Sequence, residues 1–372
     1  MPVSFVQQGG PFPNPRPYYG SGDDAGGWIS QDRYPRVLAD INNDAKADIV
    51  GFSDTGVYTS LALGNGGFGP QQFQQAMTLW GTTSGGWNEP GVSRQVADIN
   101  SDGYADLVGF GANGVLVSLN NKVGTNGTFA SQTSLADPEV NSFWSAQGGW
   151  NQDELPRFLA CVSGLGPTDI VGFSEIGVFV SINDGSGTFS DPMLAAGTAW
   201  WSEGPGTGNW VGTADKPAQD IRPRMLADLD GDGMDDLVGF GDGGIEVSLA
   251  TGNGNFAAYA SVAGTSFWAS SASNGWSQDL YPRSLADING DGQADIVGFT
   301  QSGVYASLNT SAGGIVSFAA QQLVTSSFWT PAQGFANTDT YPRALADITG
   351  DAKADIVGYT QSGVWTSISN ST

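Results

Sequence analysis

The chain has 372 residues, 37 Asp and Glu against 13 Lys and Arg, and a formal net charge of -24. A field of that sign repels a nucleic-acid backbone or an anionic membrane surface. There is no His and only one cysteine, Cys161, which excludes Ser-His-Asp and Cys-His catalysis, His-ligated zinc and an internal disulfide.

Taken in chain order, the first element is "VSFVQQG", Val3 to Gly9, which resembles "IVSFAAQQL" at Ile315 to Leu323. The segment "MPVSFVQQGG" has neither a basic start nor an apolar run, so the reading is a cytosolic protein, or one released without a signal peptide. No stretch approaches the length of a membrane span, and the sequons at Asn126, Asn309 and Asn370 are read as coincidental. From Ala39 a frame begins, "ADINNDAKADIVGF", that returns from Ala97, Ala160, Ala227, Ala286 and Ala346. Its marker positions are Asp40, Asp98, Cys161, Asp228, Asp287 and Asp347, spaced by 58, 63, 67, 59 and 60 residues. Six like units filling the chain predict one closed assembly across 1–372.

Within a unit, "PRSLADI", "ADIVGF", "GVYASLN" and a weaker stretch after a Gly-rich turn predict four strands, with no helical period. The fold class is therefore all-β, a six-bladed propeller of four-stranded blades. The sixth unit stops after "GVWTSIS", Gly363 to Ser369, without a fourth strand. The N-terminal strand is expected to supply it and close the ring, which leaves no large unpaired edge.

The turn between the first two strands has the form D-x-[DN]-x-D-G-x-x-D, an oxygen-rich spacing that suits calcium. Candidate ligands are Asp228, Asp230, Asp232 and Asp236 in the fourth unit, Asp98, Asn100, Asp102 and Asp106 in the second, and Asp287, Asn289, Asp291 and Asp295 in the fifth. The first and sixth units carry Ala45 and Ala352 at the bend and Lys46 and Lys353 beside it, and are weaker. The third, with Cys161, Ser163 and Leu165, is expected to be metal-free. The same side chains could instead accept backbone N–H groups of their own turn. A bound calcium ion would be structural.

Eleven of the twelve Trp lie in the connections between units, and six of the nine Arg occupy one equivalent position there. The first connection holds Trp28, Asp32, Tyr34 and Arg36; the second Trp87 and Arg94; the third Trp150, Asp153 and Arg157. The fourth holds Trp210, Asp220 and Arg224; the fifth Trp276, Asp279, Tyr281 and Arg283; the sixth Asp339, Tyr341 and Arg343, with Phe335 for Trp. The second departs from the pattern, with Pro90 for the acid and Val92 and Ser93 for Tyr-Pro. In a propeller this connection shares a face with the turn between strands two and three, opposite the acidic turns. An aromatic plate with Arg and carboxylate beside it suits a neutral sugar, whose C–H face stacks while its hydroxyls or acetamido group are hydrogen-bonded. The alternative for the same residues is structural: Trp fills the wedge between blades and Arg braces them.

The frame "PRxLADxxGDGxADIVGF...GVxxSL" preceded by "GGW" resembles the mushroom β-propeller lectins of the Psathyrella velutina type across essentially the whole chain. Six units place it nearer the Agrocybe aegerita type than the seven-bladed one. The acidic-turn portion alone is shared with integrin-type propeller repeats. The resemblance implies multivalent binding of terminal N-acetylglucosamine on glycans and glycoproteins, in clefts between blades, without catalysis, by a monomer or homodimer. Units one and five, which keep Trp, acid, Tyr and Arg together, are expected to form the best clefts. An integrin-like protein-binding propeller remains open, as does a glycosidase with one unique acid pair in the tunnel.

Overall fold

The run that begins at the repeated Arg forms a short strand in every unit: Arg36–Ala39, Ser93–Ala97, Arg157–Ala160, Arg224–Ala227, Arg283–Ala286 and Arg343–Ala346. The acidic turn reverses the chain, and the "DIVGF" segment returns antiparallel, with Arg36 opposite Gly51 and Ala39 opposite Asp48. This second strand is buried through its first five positions in all six copies, which is why it reads as an unbroken apolar run and not as an alternation. A third strand and a short fourth strand complete each sheet, as Val57–Ser60 and Gln72–Gln74 do in the first. These observations come from a computed structural model that describes residues 3–9, 19–22, 26–74, 79–87, 91–122, 128–135, 137–202, 210–212, 216–270, 275–326 and 329–371.

The six four-stranded antiparallel sheets are the blades of a propeller. Ring closure follows the sequence reading. Val3–Gly9 pairs antiparallel with the last strand, Gly363–Ser371, with Val3 opposite Ser371 and Phe5 opposite Ser369. Phe5 thereby takes the place that Phe68, Phe129, Phe189, Phe256 and Phe318 take in the other blades, each bridged to the second residue beyond its third strand. The connections contain short helical turns, Thr82–Gly85, Pro138–Phe143 and Ala218–Ile221, too short to leave a period in the sequence.

The apolar clusters span neighbouring blades. Val50, Phe52 and Val57 of the first blade pack with Trp80, Trp87 and Leu107 of the second, and the same sharing recurs around the ring. On the acidic-turn face a backbone hoop adds to this. The amides of Ala105, Asp235, Ala294, Ala354 and Ala47 donate to the carbonyls of Asp40, Cys161, Asp228, Asp287 and Asp347 in the preceding blade. In the third blade the Thr168 hydroxyl donates to the Asp98 carbonyl instead.

The sequon at Asn309 is buried, its side-chain amide donating to the carbonyls of Leu229 and Ala294, so the folded chain cannot present it for glycosylation. Asn370 is exposed, and Asn126 lies outside the described residues.

Candidate functional site

Each connection lays two aromatic rings on the second strand of the blade it enters. The first of each pair, Trp80, Trp144, Trp201, Trp268 or Trp329, is fully buried, and its indole N–H donates at 2.8–3.0 Å to a third-strand serine: Ser118, Ser181, Ser248, Ser307 or Ser367. Tyr19 stands there in the first blade. The second ring, Trp28, Trp87, Trp150, Trp210, Trp276 or Phe335, packs against the first, as in the Trp80–Trp87 stack at 5.3 Å. Both rings lie over the glycine of "VGF". A Cβ at Gly51 would sit 2.5 Å from Tyr19 and 2.7 Å from Trp28. The glycine next to the second ring, Gly27, Gly86, Gly149, Gly275 or Gly334, has φ of +70° to +110° and open space where a Cβ would be.

The repeated Arg residues correct the expectation of cleft-facing guanidiniums. Arg36, Arg94, Arg157, Arg224, Arg283 and Arg343 are at most 5 % exposed. Arg283 donates to the carbonyls of Trp268 and Ala269 in its own connection and of Ile221 in the preceding one. Arg94 likewise joins Trp80 to Arg33, and Arg343 joins Trp329 to Leu280. Each guanidinium also stacks on the "VGF" aromatic of the preceding blade, as Arg283 does on Phe240 at 4.8 Å. Burial pulls their pKa values down, to about 9 for Arg94, Arg157 and Arg283, still above neutral pH. The Arg residues are inter-blade braces, their guanidiniums bridging carbonyls of one connection to those of the preceding one.

Three of the repeated acids, Asp220, Asp279 and Asp339, are taken up by the next connection, another correction. Asp220 accepts from Ser277 and the amide of Asp279 in the next blade, Asp279 accepts from the amide of Thr338, and Asp339 accepts from Ser30 and Gln31 of the first blade. Asp32 and Asp153 line a cavity of about 910 Å³ with Arg94 and Trp87, the one place among the described residues where the repeated acid, Arg and Trp meet as the sequence suggested. Burial, with Asp339 and Asp153 nearby, raises the pKa of Asp32. Pro90 lies outside the described residues.

What the fold does gather is a pocket where each connection meets the turn between strands two and three. In the first blade Gly26, Gly27, Trp28, Tyr34, Ser53, Asp54, Tyr58 and Gln71 border about 270 Å³. In the fifth, Phe267, Gly275, Trp276, Tyr281 and Thr300 to Ser302 border about 340 Å³. In the sixth, Gln333, Gly334, Tyr341, Thr360 to Ser362 and Trp365 border about 440 Å³. The second blade has one of about 370 Å³ walled by Trp87, Val92, Ala112 and Leu116. In the fourth blade Arg222 stands where others have Tyr and pairs with Asp242, while Trp200 donates to Glu246 and stacks on Tyr259. Trp210 is fully buried there, and Trp150 of the third blade lies against Phe143. Thus Trp28, Tyr34, Trp87, Trp276, Tyr281 and Tyr341 border these pockets, and Trp87 also borders the larger cavity with Asp32, Arg94 and Asp153. The turn residues Asp54, Gln301 and Gln361 and the third-strand Tyr58 and Trp365 were not singled out in the sequence. The constant distance from "VGF" to the next glycine was the available signal.

In the acidic turns the first Asp accepts loop amides, as Asp98 does from Asn100, Asp102 and Gly103 and Asp287 from Asn289, Asp291 and Gly292. The last Asp is buried and accepts two amides; burial pushes Asp48, Asp106, Asp295 and Asp355 up to about 7 and Asp236 to about 8, against those hydrogen bonds. Among the described residues, three acidic groups converge within 4.8 Å in the fourth loop, at Asp228, Asp230 and Asp236. Oδ1 of Asp230 is buried there without a hydrogen-bond partner, so that loop fits a hard cation. In the first and sixth loops Lys46 and Lys353 pair with Asp44 and Asp351.

An aromatic wall, hydroxyls and an amide or carboxylate around an open pocket, repeated on one face of a propeller, define a carbohydrate-binding propeller. An Agrocybe aegerita lectin whose structure describes specific recognition of non-reducing terminal N-acetylglucosamine is 36 % identical, with 91 % of this chain and 77 % of that one covered and a TM-score of 0.67. The chain belongs to that family of six-bladed propeller lectins. An FG-GAP-like repeat profile matches residues 40–109 and 228–297. A propeller portion of the Photorhabdus luminescens Tc holotoxin pore shares the fold at 15 % identity and a TM-score of 0.58, over 100 % of this chain and 15 % of that one. No curated protein sequence matches the chain.

Proposed function

We propose that this protein is a multivalent lectin that holds terminal N-acetylglucosamine-type sugars in the pockets of blades one, two, five and six and performs no chemistry on them. The observation that carries the reading is the recurrence of one wall, an aromatic edge beside an open left-handed glycine, at Trp28, Trp87, Trp276 and again at Gly334. Trp28, Trp87 and Trp276 are at most 5 % exposed, so each offers a sugar's C–H groups an apolar edge and not the stacking plate expected from the sequence, and Tyr281 with Gln301, or Tyr341 with Gln361, supplies donors and acceptors for hydroxyl and acetamido groups. Glycans and glycoproteins with that terminus are the partners. A structural calcium ion in the fourth acidic loop belongs to the same proposal.

Several pockets on one ring let a monomer bridge two surfaces, with avidity about 10² to 10⁴ above one site. The test is agglutination of cells displaying terminal N-acetylglucosamine, with free sugar as inhibitor. The parent agglutinates them, and replacing Tyr281, Gln301, Tyr341 and Gln361 together by Ala abolishes most of the activity while melting stays unchanged. Parent protein that binds no immobilised glycan overturns the reading.

A further inference from the structure

The pockets are alike in their aromatic wall and differ in the residue at the middle of the turn between strands two and three. In blades five and six it is Gln301 and Gln361, and among the described residues nothing bonds their side-chain amides or the hydroxyls of Tyr281 and Tyr341. In blade one it is Asp54. Its Oδ2 accepts from the Tyr34 hydroxyl at 2.9 Å, and its Oδ1 accepts from Arg33 at 3.1 Å and from Thr82 of the next connection. The Asp54 side chain is still 45 % exposed at the pocket and Arg33 is 52 % exposed. A pair so exposed to water is weak and yields readily to a competing cation.

Three consequences follow for a ligand in blade one. The Tyr34 proton is committed to Asp54, so the hydroxyl no longer offers a donor to an acetamido carbonyl. The carboxylate offers only acceptors. Burial acts to raise its pKa, but the hydrogen bonds from Thr82, Tyr34 and Arg33 outweigh that and hold it below the usual carboxylate range. The pocket therefore presents an ionised carboxylate, paired with the exposed Arg33, where the blade-five and blade-six pockets present a neutral amide. A chain with a net charge of -24 reinforces that field at low salt.

Resting on the sugar-binding reading of these pockets, we infer that the blade-one pocket prefers an amino sugar with a free ammonium group, paired with Asp54, over the N-acetylated form that the blade-five and blade-six pockets favour. The lectin would then read partly de-N-acetylated glycans through two kinds of pocket on one ring.

The experiment is titration of the intact protein with methyl glycosides of glucosamine and of N-acetylglucosamine, at about pH 6 where the amine is protonated, with chemical-shift mapping to assign pockets. Glucosamine should shift resonances of Trp28 and Tyr58, and N-acetylglucosamine those of Trp276 and Trp365. Asp54→Asn, which keeps the shape of the site, should weaken glucosamine about fivefold or more and leave N-acetylglucosamine at the other pockets unchanged. Arg33→Ala, which removes the competing cation, should strengthen glucosamine about two- to threefold. Gln301→Glu should bring glucosamine binding to blade five. If N-acetylglucosamine binds but glucosamine binds nowhere, or Asp54→Asn leaves it unaffected, this inference is wrong and the lectin reading stands. If neither sugar binds, the lectin reading itself fails.

Discussion

At the scale of single residues, the second-strand glycine and the buried Arg determine whether the site face exists at all. Gly298 lies beneath Trp268 and Trp276, so Gly298→Ala forces a Cβ into both rings. Overpacking of this kind costs about 1–3 kcal/mol, and a urea titration of the folded variant should show it as a lower midpoint with an unchanged slope. Arg283→Ala removes a guanidinium that joins Trp268 and Ala269 to Ile221 and leaves those carbonyls without a donor. The expected loss is about 2–4 kcal/mol, from unmet buried acceptors and the space left behind. A variant that melts like the parent but fails to bind sugar would return Arg283 to the ligand.

At the scale of elements, the N-terminal strand and the fourth acidic loop carry testable consequences. Deleting residues 1–9 strips the partner from Gly363–Ser371 and bares the edge of the closing blade. The truncated protein should aggregate or melt far below the parent, because Val3 and Phe5 also leave the apolar cluster shared with the fifth blade. For the loop, calcium at about a hundred times its dissociation constant should stabilise the native state by about 2.7 kcal/mol. Thermal melts in chelator and in calcium should therefore differ for the parent and coincide for Asp230→Ala, which removes the buried Oδ1 that has no hydrogen-bond partner. Coincident parental melts would leave the loops as turns capped by their own carboxylates.

At the scale of the molecule, the ring's buried carboxylates set its response to pH. Asp48, Asp106, Asp295 and Asp355 sit at about 7 and Asp236 at about 8, with burial the leading cause in each. The unfolded chain releases these protons near pH 3.9. Between roughly pH 4 and pH 7 the native state therefore holds more protons than the unfolded state, and stability falls as pH rises. The carboxylates held low, Asp54, Asp220 and Asp242, act the other way and lose their contribution only as the medium becomes more acidic than the unfolded value. Denaturant midpoints in chelator should be higher at about pH 5 than at about pH 8. A flat profile would mean the amide hydrogen bonds to these carboxylates offset their burial.

The sequence by itself determined the number of blades, their four-strand pattern, the closing strand and the sharing of one face by the connections and the second turns. A sixfold period with a matching fragment at the N-terminus admits few other closed arrangements, and strand alternation assigns each turn to one end. It did not determine which side chains look outward. Trp and Arg beside Gly are equally compatible with an open cleft and a buried wedge, and the choice is made by the neighbouring blade. Arg94 turns inward because the carbonyl of Arg33, 61 residues earlier, arrives next to it only when the ring is closed. Tyr34 and Asp54, 20 residues apart, become one pocket wall within a single blade, because the hairpin that sets Arg36 opposite Gly51 brings the two flanking turns together. Burial and approach depend on contacts between units, and a repeat read one unit at a time does not contain them.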